Sequence, residues 1–215
     1  MPSESKADWG SLLWTTVLML KSKNLWLMMT QYFASNFTFF FSLTWLYPYV
    51  KSTYNLGAIG AGYAAMIPLL AGAIGNVVSG AWVDHLYRRG WGDWSRKLPA
   101  IIGFLLAALG MVMSLNQASV VGAVFWLSIA IFGADMTLSP SWSFCIDIGG
   151  RNAGAVSGTM NMAGNLGSAI TALAFAYMPK SSQGNAAFFY TAATLSLLAI
   201  GCWLTVNSAK KLESI

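Results

Sequence analysis

Charge is scarce in this chain. Only 9% of its 215 residues are Asp, Glu, Lys or Arg, against ~25% in an ordinary soluble domain. Twelve basic and seven acidic side chains cannot form the polar shell that a water-soluble domain of this length needs. Cysteine and histidine are scarcer still. Cys145, Cys202 and His85 are all there is, which excludes a disulfide framework, a zinc cluster or a haem-ligand set. No metal or cofactor is expected. What is abundant is apolar: hydrophobic residues make up 56% and the mean hydropathy is +0.58. Disorder is thereby excluded. The composition leaves an integral membrane protein with short loops. The net charge of +5 does not indicate nucleic acid, because the basic residues share no surface until a topology is assigned.

A spanning helix needs ~20 mostly apolar residues. Six stretches qualify: Leu25–Val50, Gly57–Val83, Leu98–Leu115, Val120–Ile146, Ala153–Met178 and Ala186–Val206. Their runs are too long, and alternate too little, for barrel strands. The chain is thus expected to be an all-α membrane protein, with a tail over 1–24, a six-helix bundle over 25–207 and a second tail over 208–215. The start lacks a signal-peptide cleavage site. Gly10–Leu20 is apolar but too short to span, and with Lys21 and Lys23 behind it it reads as an interfacial helix.

The basic residues orient the spans. Lys6, Lys21, Lys23, Arg88, Arg89, Arg96, Lys97, Arg151, Lys210 and Lys211 fall on one side, and Lys51 and Lys180 on the other. This asymmetry predicts that both termini are cytoplasmic, in a plasma (inner) membrane. No span holds a Lys or Arg, which excludes a retinal-type Schiff base.

The loop after the second span reads Gly80-Ala-Trp-Val-Asp84-His85-Leu-Tyr-Arg88-Arg89-Gly90. Gly80 lets a neighbouring helix come close. Asp84, one turn on, can accept from the N-terminus of a facing helix, and the paired arginines hold the loop at the membrane surface. This arrangement resembles the loop signature of the major facilitator superfamily, Gly-x-x-x-Asp-(Arg/Lys)-x-x-x-(Arg/Lys)-(Arg/Lys), found between the second and third helices of each six-helix half. His85 stands where the signature has Arg or Lys. Gly80, Asp84, Arg88 and Arg89 would then form the conformational loop.

Further segments are similar to one branch, the anion:cation symporters. Thr44-Trp45-Leu46-Tyr47-Pro48-Tyr49 resembles the close of that family's seventh helix, and Trp94-Ser95-Arg96-Lys97-Leu98-Pro99 the start of its ninth. Ser139-Pro140-Ser141-Trp142, Asp147, Gly154 and the run from Ser157 to Gly167 look like its tenth and eleventh helices. The resemblance covers residues 10 to 207 and only the C-terminal half of such a carrier. It implies half of a twelve-helix fold. It also implies transport of a hexuronate, aldarate or similar sugar acid with a co-transported proton or sodium, in partnership with a missing N-terminal half or a second chain.

Polar groups within spans must face protein or a watery cavity. Asn161 and Asn165 are four apart and share a helix face, which serves either as interhelical glue or as a row of donors to sugar hydroxyls. Gln31 and Asn36 raise the same alternatives in the first span. By similarity to sugar-acid carriers, Ser139, Ser141 and Trp142 would sit beside them, with Trp142 able to stack on a sugar ring. Asp135 lies ~22 Å along its span and is the only ionisable residue near mid-membrane. It reads either as a proton-coupling group or as a carboxyl bonded to a neighbouring helix. Asp147 is expected to pair with groups around Arg151. Gly154 and Gly158, continued by Gly164, Gly167 and Ser168, suggest close helix packing.

An enzyme is disfavoured. Asp135 and Asp147 lie ~18 Å apart on one helix, too far for an aspartyl-protease dyad, and one His cannot make HExxH. A non-transporting scaffold or assembly subunit, and a carrier of another substrate, stay open.

Overall fold

The computed structural model describes residues 17–177 and 182–208. Most of the expected interfacial helix lies outside them, although residues 17–21 are helical. Every long element described is an α-helix: α1 (Lys23–Thr44), α2 (Leu46–Thr53), α3 (Ala58–Arg88), α4 (Trp94–Leu115), α5 (Val120–Met136), α6 (Leu138–Gly149), α7 (Ala153–Tyr177) and α8 (Ser182–Thr205).

Two expected spans are each broken in two, and proline explains both. Leu25–Val50 becomes α1 and α2, parted at Trp45; Val120–Ile146 becomes α5 and α6, parted at Thr137. Each break falls three residues before a proline, Pro48 or Pro140. A proline inside a helix removes one bond and crowds the carbonyl four residues back, here that of Thr44 or Met136, the last residue of each preceding helix. At the second break the exposed polar groups find partners on α1. The hydroxyls of Ser35 and Thr137 are 2.7 Å apart, and the Ala134 carbonyl accepts from Thr137 at 2.7 Å and from Ser35 at 3.3 Å. Backbone groups freed at membrane depth need such partners. Pro68 leaves α3 unbroken.

Four stretches are long and apolar enough to cross a membrane: Ala58–Arg88, Trp94–Leu115, Val120–Tyr177 and Ala186–Thr205. The third takes in α5, α6 and α7. It doubles back at the 3-10 turn Gly150–Asn152, where Gly150 has φ 49°. The α1 rod, with its buried Gln31, Ser35, Thr38 and Ser42, is not among the four.

α5 is the central helix of one side of the bundle, held between α3 and α4, while α1 packs on α7 and α8, and α8 on α4. Small residues set the spacing. A Cβ on Gly75 would strike the Phe132 backbone, one on Gly103 the Gly133 carbonyl, and one on Gly110 the backbone at Trp126 and Ala130. On α7 the packing glycines are Gly164, against Tyr32 and Asn36, and Gly167, against the Phe33 backbone. Gly154 and Gly158 meet nothing within 4 Å, so the expected helix contact there is corrected. These two glycines lie off the α1-facing side of α7.

Two apolar cores result. One gathers Phe37, Phe41, Tyr49, Phe188 and Phe189 around the α2 end; the other gathers Met28, Phe104, Phe144, Met160 and Trp203 nearer the opposite end.

Candidate functional site: a polar seam on α1, α6 and α7

The seam starts at Tyr32 on α1. Its hydroxyl accepts from Trp142 Nε1 at 3.1 Å, and the two rings meet edge to face with centroids 6.3 Å apart. Trp142, at the middle of α6, is 39% exposed, so much of its surface is open to a ligand. One turn along α1, Asn36 is half-buried and donates to the Tyr32 carbonyl at 2.9 Å. Gly164 lies against both Tyr32 and Asn36, which brings α7 alongside. Its neighbours Asn161, half-buried, and Asn165, exposed, have no side-chain hydrogen bond among the described residues. Tyr32 and Trp142 thus form an aromatic pair between α1 and α6, and Gly164 brings α7, which carries the amides of Asn161 and Asn165, against the same stretch of α1. That combination can bind a polyhydroxylated solute.

Ser139 faces another way. Its hydroxyl lies 2.9 Å from Asn76 Oδ1 on α3, and Gly80 is the small residue beside it.

Gln31 and Ser141 are fully buried and bonded to protein. Gln31 Nε2 donates to Ser141 Oγ at 3.1 Å, while Gln31 Oε1 accepts from Trp203 Nε1 at 3.2 Å. Ser141 Oγ also donates to the Thr137 carbonyl at 2.6 Å. This node ties α1 to α6 and α8 directly behind the seam, since Gln31 precedes Tyr32 and Ser141 precedes Trp142.

Asp135, on α5, is 6% exposed and its Oδ1 has no hydrogen-bond partner among the described residues. Gly72 of α3 is packed against Oδ2. The expected bond to a neighbouring helix is absent there for Oδ1.

At the end of the bundle where α3 stops, Asp84, Arg88 and Arg89 are exposed and form no ion pair among the described residues. The pairing lies deeper. Arg96 Nε is 2.5 Å from Asp147 Oδ2, and its guanidinium lies 4.7 Å from the Tyr87 ring centre. Asp147 thus meets Arg96, which α4 brings inward. Asp93 accepts the Ser208 hydroxyl and, at 3.2 Å, its N–H.

Tyr32, Ser35, Thr137 and Asn76 are polar contributors that the motif reading missed. A signal for α1 was present: Gln31, Ser35, Thr38 and Ser42 recur at helical spacing and are all buried. A polar stripe of that kind on an otherwise apolar span must face protein.

An all-helical bundle with apolar outer faces, broken helices and a polar seam is the build of a membrane carrier. The chain belongs to the Major Facilitator Superfamily, whose family model matches residues 2–172. It is an integral membrane protein of a carrier family, not an enzyme. It is 28% identical over 216 residues to the "Probable galactarate/D-glucarate transporter GarP" of Escherichia coli K12, covering 99% of this chain and 48% of that protein. It is 26% identical to the "Probable sulfoacetate transporter SauU" of Cupriavidus necator, covering 86% and 45%. It is 28% identical to the "D-galactonate transporter" of Escherichia coli O6:H1, covering 83% and 42%. Among solved structures, the inward-open xylose transporter XylE of E. coli superposes with a TM-score of 0.62 at 15% identity, covering 86% of this chain and 47% of that one. That likeness concerns the fold. The chain spans about half the length of the curated relatives it matches.

Proposed function

We propose that this chain is the C-terminal six-helix half of a carrier that moves a small organic anion, a hexuronate, aldarate or similar sugar acid, by proton- or sodium-coupled symport. The observation that carries the reading is the seam itself. Trp142 offers an exposed ring, and Asn161 and Asn165 offer amides without side-chain hydrogen bonds among the described residues, on a chain whose relatives include galactarate/D-glucarate and D-galactonate transporters. Asn36 flanks that surface and Gln31 and Ser141 hold it from behind, whereas Ser139 bonds Asn76 on α3. Asp135 is the proposed coupling group, a carboxyl between α5 and α3 whose Oδ1 has no partner among the described residues. The loop residues Gly80, Asp84, Arg88 and Arg89 belong to the conformational machinery, with both termini in the cytoplasm of a cell whose inner membrane holds the protein. The six-helix unit spans residues 25–207 between short tails, and a second six-helix unit supplies the other wall of the passage.

Proteoliposome uptake tests this. The chain alone should show little proton-driven galactarate uptake, and co-expression with a matching N-terminal half should restore it. In the restored carrier, Trp142→Ala and Asn161→Ala should each weaken galactarate uptake by ~10-fold, the scale of one lost ring contact or hydrogen bond. Asp135→Asn should abolish the pH dependence while exchange persists. Vigorous uptake by the chain alone, or full uptake by both seam variants, overturns the assignment.

A further inference from the structure

A depression lies along α2, away from the seam. It measures about 550 Å³ and is lined by Tyr47, Pro48, Lys51, Ser52, Asn55 and Leu56. Tyr47 is ~22 Å along the chain from Tyr32 at helical rise, so the two surfaces cannot share one small ligand. Lys51 is its charge. The ammonium lies 5.9 Å from the Tyr47 ring centre and has no carboxylate partner among the described residues. Asp84, Asp93 and Asp147 sit at the opposite end of the bundle, and Asp135 is ~22 Å from the α5 end that faces this depression. That distance exceeds the ~8 Å over which charges act at physiological salt.

The walls suit a particular chemistry. The depression is rigidly framed: Leu56 N–H donates to the Lys51 carbonyl at 3.1 Å, and the Tyr54 hydroxyl donates to the Gln117 carbonyl at 3.1 Å. Asn55 takes φ 51°, a left-handed corner that Asn tolerates better than most residues. Asn55 and the Tyr47 hydroxyl offer donors and acceptors, Ser52 Oγ, which donates to the Tyr49 carbonyl at 3.2 Å, offers an acceptor, and the Tyr47 ring and Pro48 offer an apolar floor to C–H groups.

We propose that this depression is a peripheral binding site for a polyhydroxylated carboxylate, which Lys51 holds by its carboxylate and Ser52 and Asn55 by its hydroxyls. It would capture the solute at the mouth of the passage before it reaches the seam. The transport reading supplies the choice of ligand and the word mouth. The binding claim stands on the depression.

The test is calorimetric titration of galactarate into the purified full chain in phosphatidylcholine nanodiscs. Galactitol, which has the hydroxyls without the carboxylates, serves as the control. Galactarate should bind and galactitol should not. Lys51→Gln should weaken binding by ~10-fold, on the scale of one charge-assisted hydrogen bond, while Lys51→Arg should stay within ~2-fold and Gly154→Ala, in open space on α7, should leave the isotherm unchanged. Equal binding to wild type and Lys51→Gln overturns the site. So does loss of galactarate binding in phosphatidylglycerol nanodiscs, which would assign the cation to a lipid phosphate. An unfolded Lys51→Gln is guarded against by Ser52→Ala, which should weaken galactarate binding by ~3-fold. Transport failure in the restored carrier with binding retained would sink the symport reading alone; retained transport with no binding here would sink only this site.

Discussion

At the scale of single residues, the difference between a ligand-facing amide and a structural one is decided by neighbours three helices away. Of the two alternatives for Gln31, solute contact and interhelical bonding, the second holds: both ends of its amide are engaged by Ser141 and Trp203. The sequence required only that the amide be satisfied in a dry span; it carried no information on which helices would arrive. Replacing Gln31 by Leu leaves the Trp203 Nε1 donor buried without a partner. Gln31→Leu should therefore destabilise the chain by ~1–2 kcal/mol, the range for interhelical hydrogen bonds in membranes. Trp203→Phe should cost less on the Gln31→Leu background than on wild type, because both changes remove the same bond. Unfolding titrations of the four proteins read this coupling, and strict additivity would show that the bond contributes nothing.

At the scale of elements, span placement was legible and span continuity was not. Length and hydropathy pointed to six spans, and four stretches among the described residues are long and apolar enough to cross a bilayer. Pro48 and Pro140 were visible in the sequence, but a proline marks a break only where the surroundings can satisfy the backbone it frees. Ser35 does so at Thr137, and that contact is remote in sequence. Pro68 shows the converse, since α3 runs straight through it. Glycine is similarly ambiguous. Position 110 has the α5 backbone against it and position 154 has open space, though both residues look alike in a motif. Gly110→Ala should thus cost ~2 kcal/mol or more, because the atoms it meets are backbone and cannot rotate away. Gly154→Ala should be neutral or stabilise by up to ~1 kcal/mol through helix propensity. Melting of the two variants in detergent separates these cases, and equal losses would mean that α7 packs on its Gly154 face.

At the scale of the whole molecule, the charge asymmetry does not say how the helix ends are joined. The start of α1, the end of α3, the start of α4, the end of α6 and the chain after α8 meet at one end of the bundle. Asn24 donates to the Asn207 carbonyl at 2.7 Å, Asp93 receives Ser208, and Arg96 pairs with Asp147. The exposed arginines 88 and 89 signalled a surface, but the contact that fastens α4 to α6 uses the least exposed arginine of the group. Arg96 is 10% exposed and Asp147 33% exposed, so water and salt screen this pair less than an ordinary surface bridge. Removing one partner leaves the other charge half-buried, with a loss of ~1–3 kcal/mol. Arg96→Ala should therefore loosen this end, whereas Arg88→Ala, at an exposed site without an ion pair, should change stability by less than ~0.5 kcal/mol. Hydrogen exchange at the start of α4 and the end of α6 should rise in the first variant and not in the second. If exchange rises equally in both, the net charge of the loop, not the Arg96–Asp147 contact, holds the helix ends together.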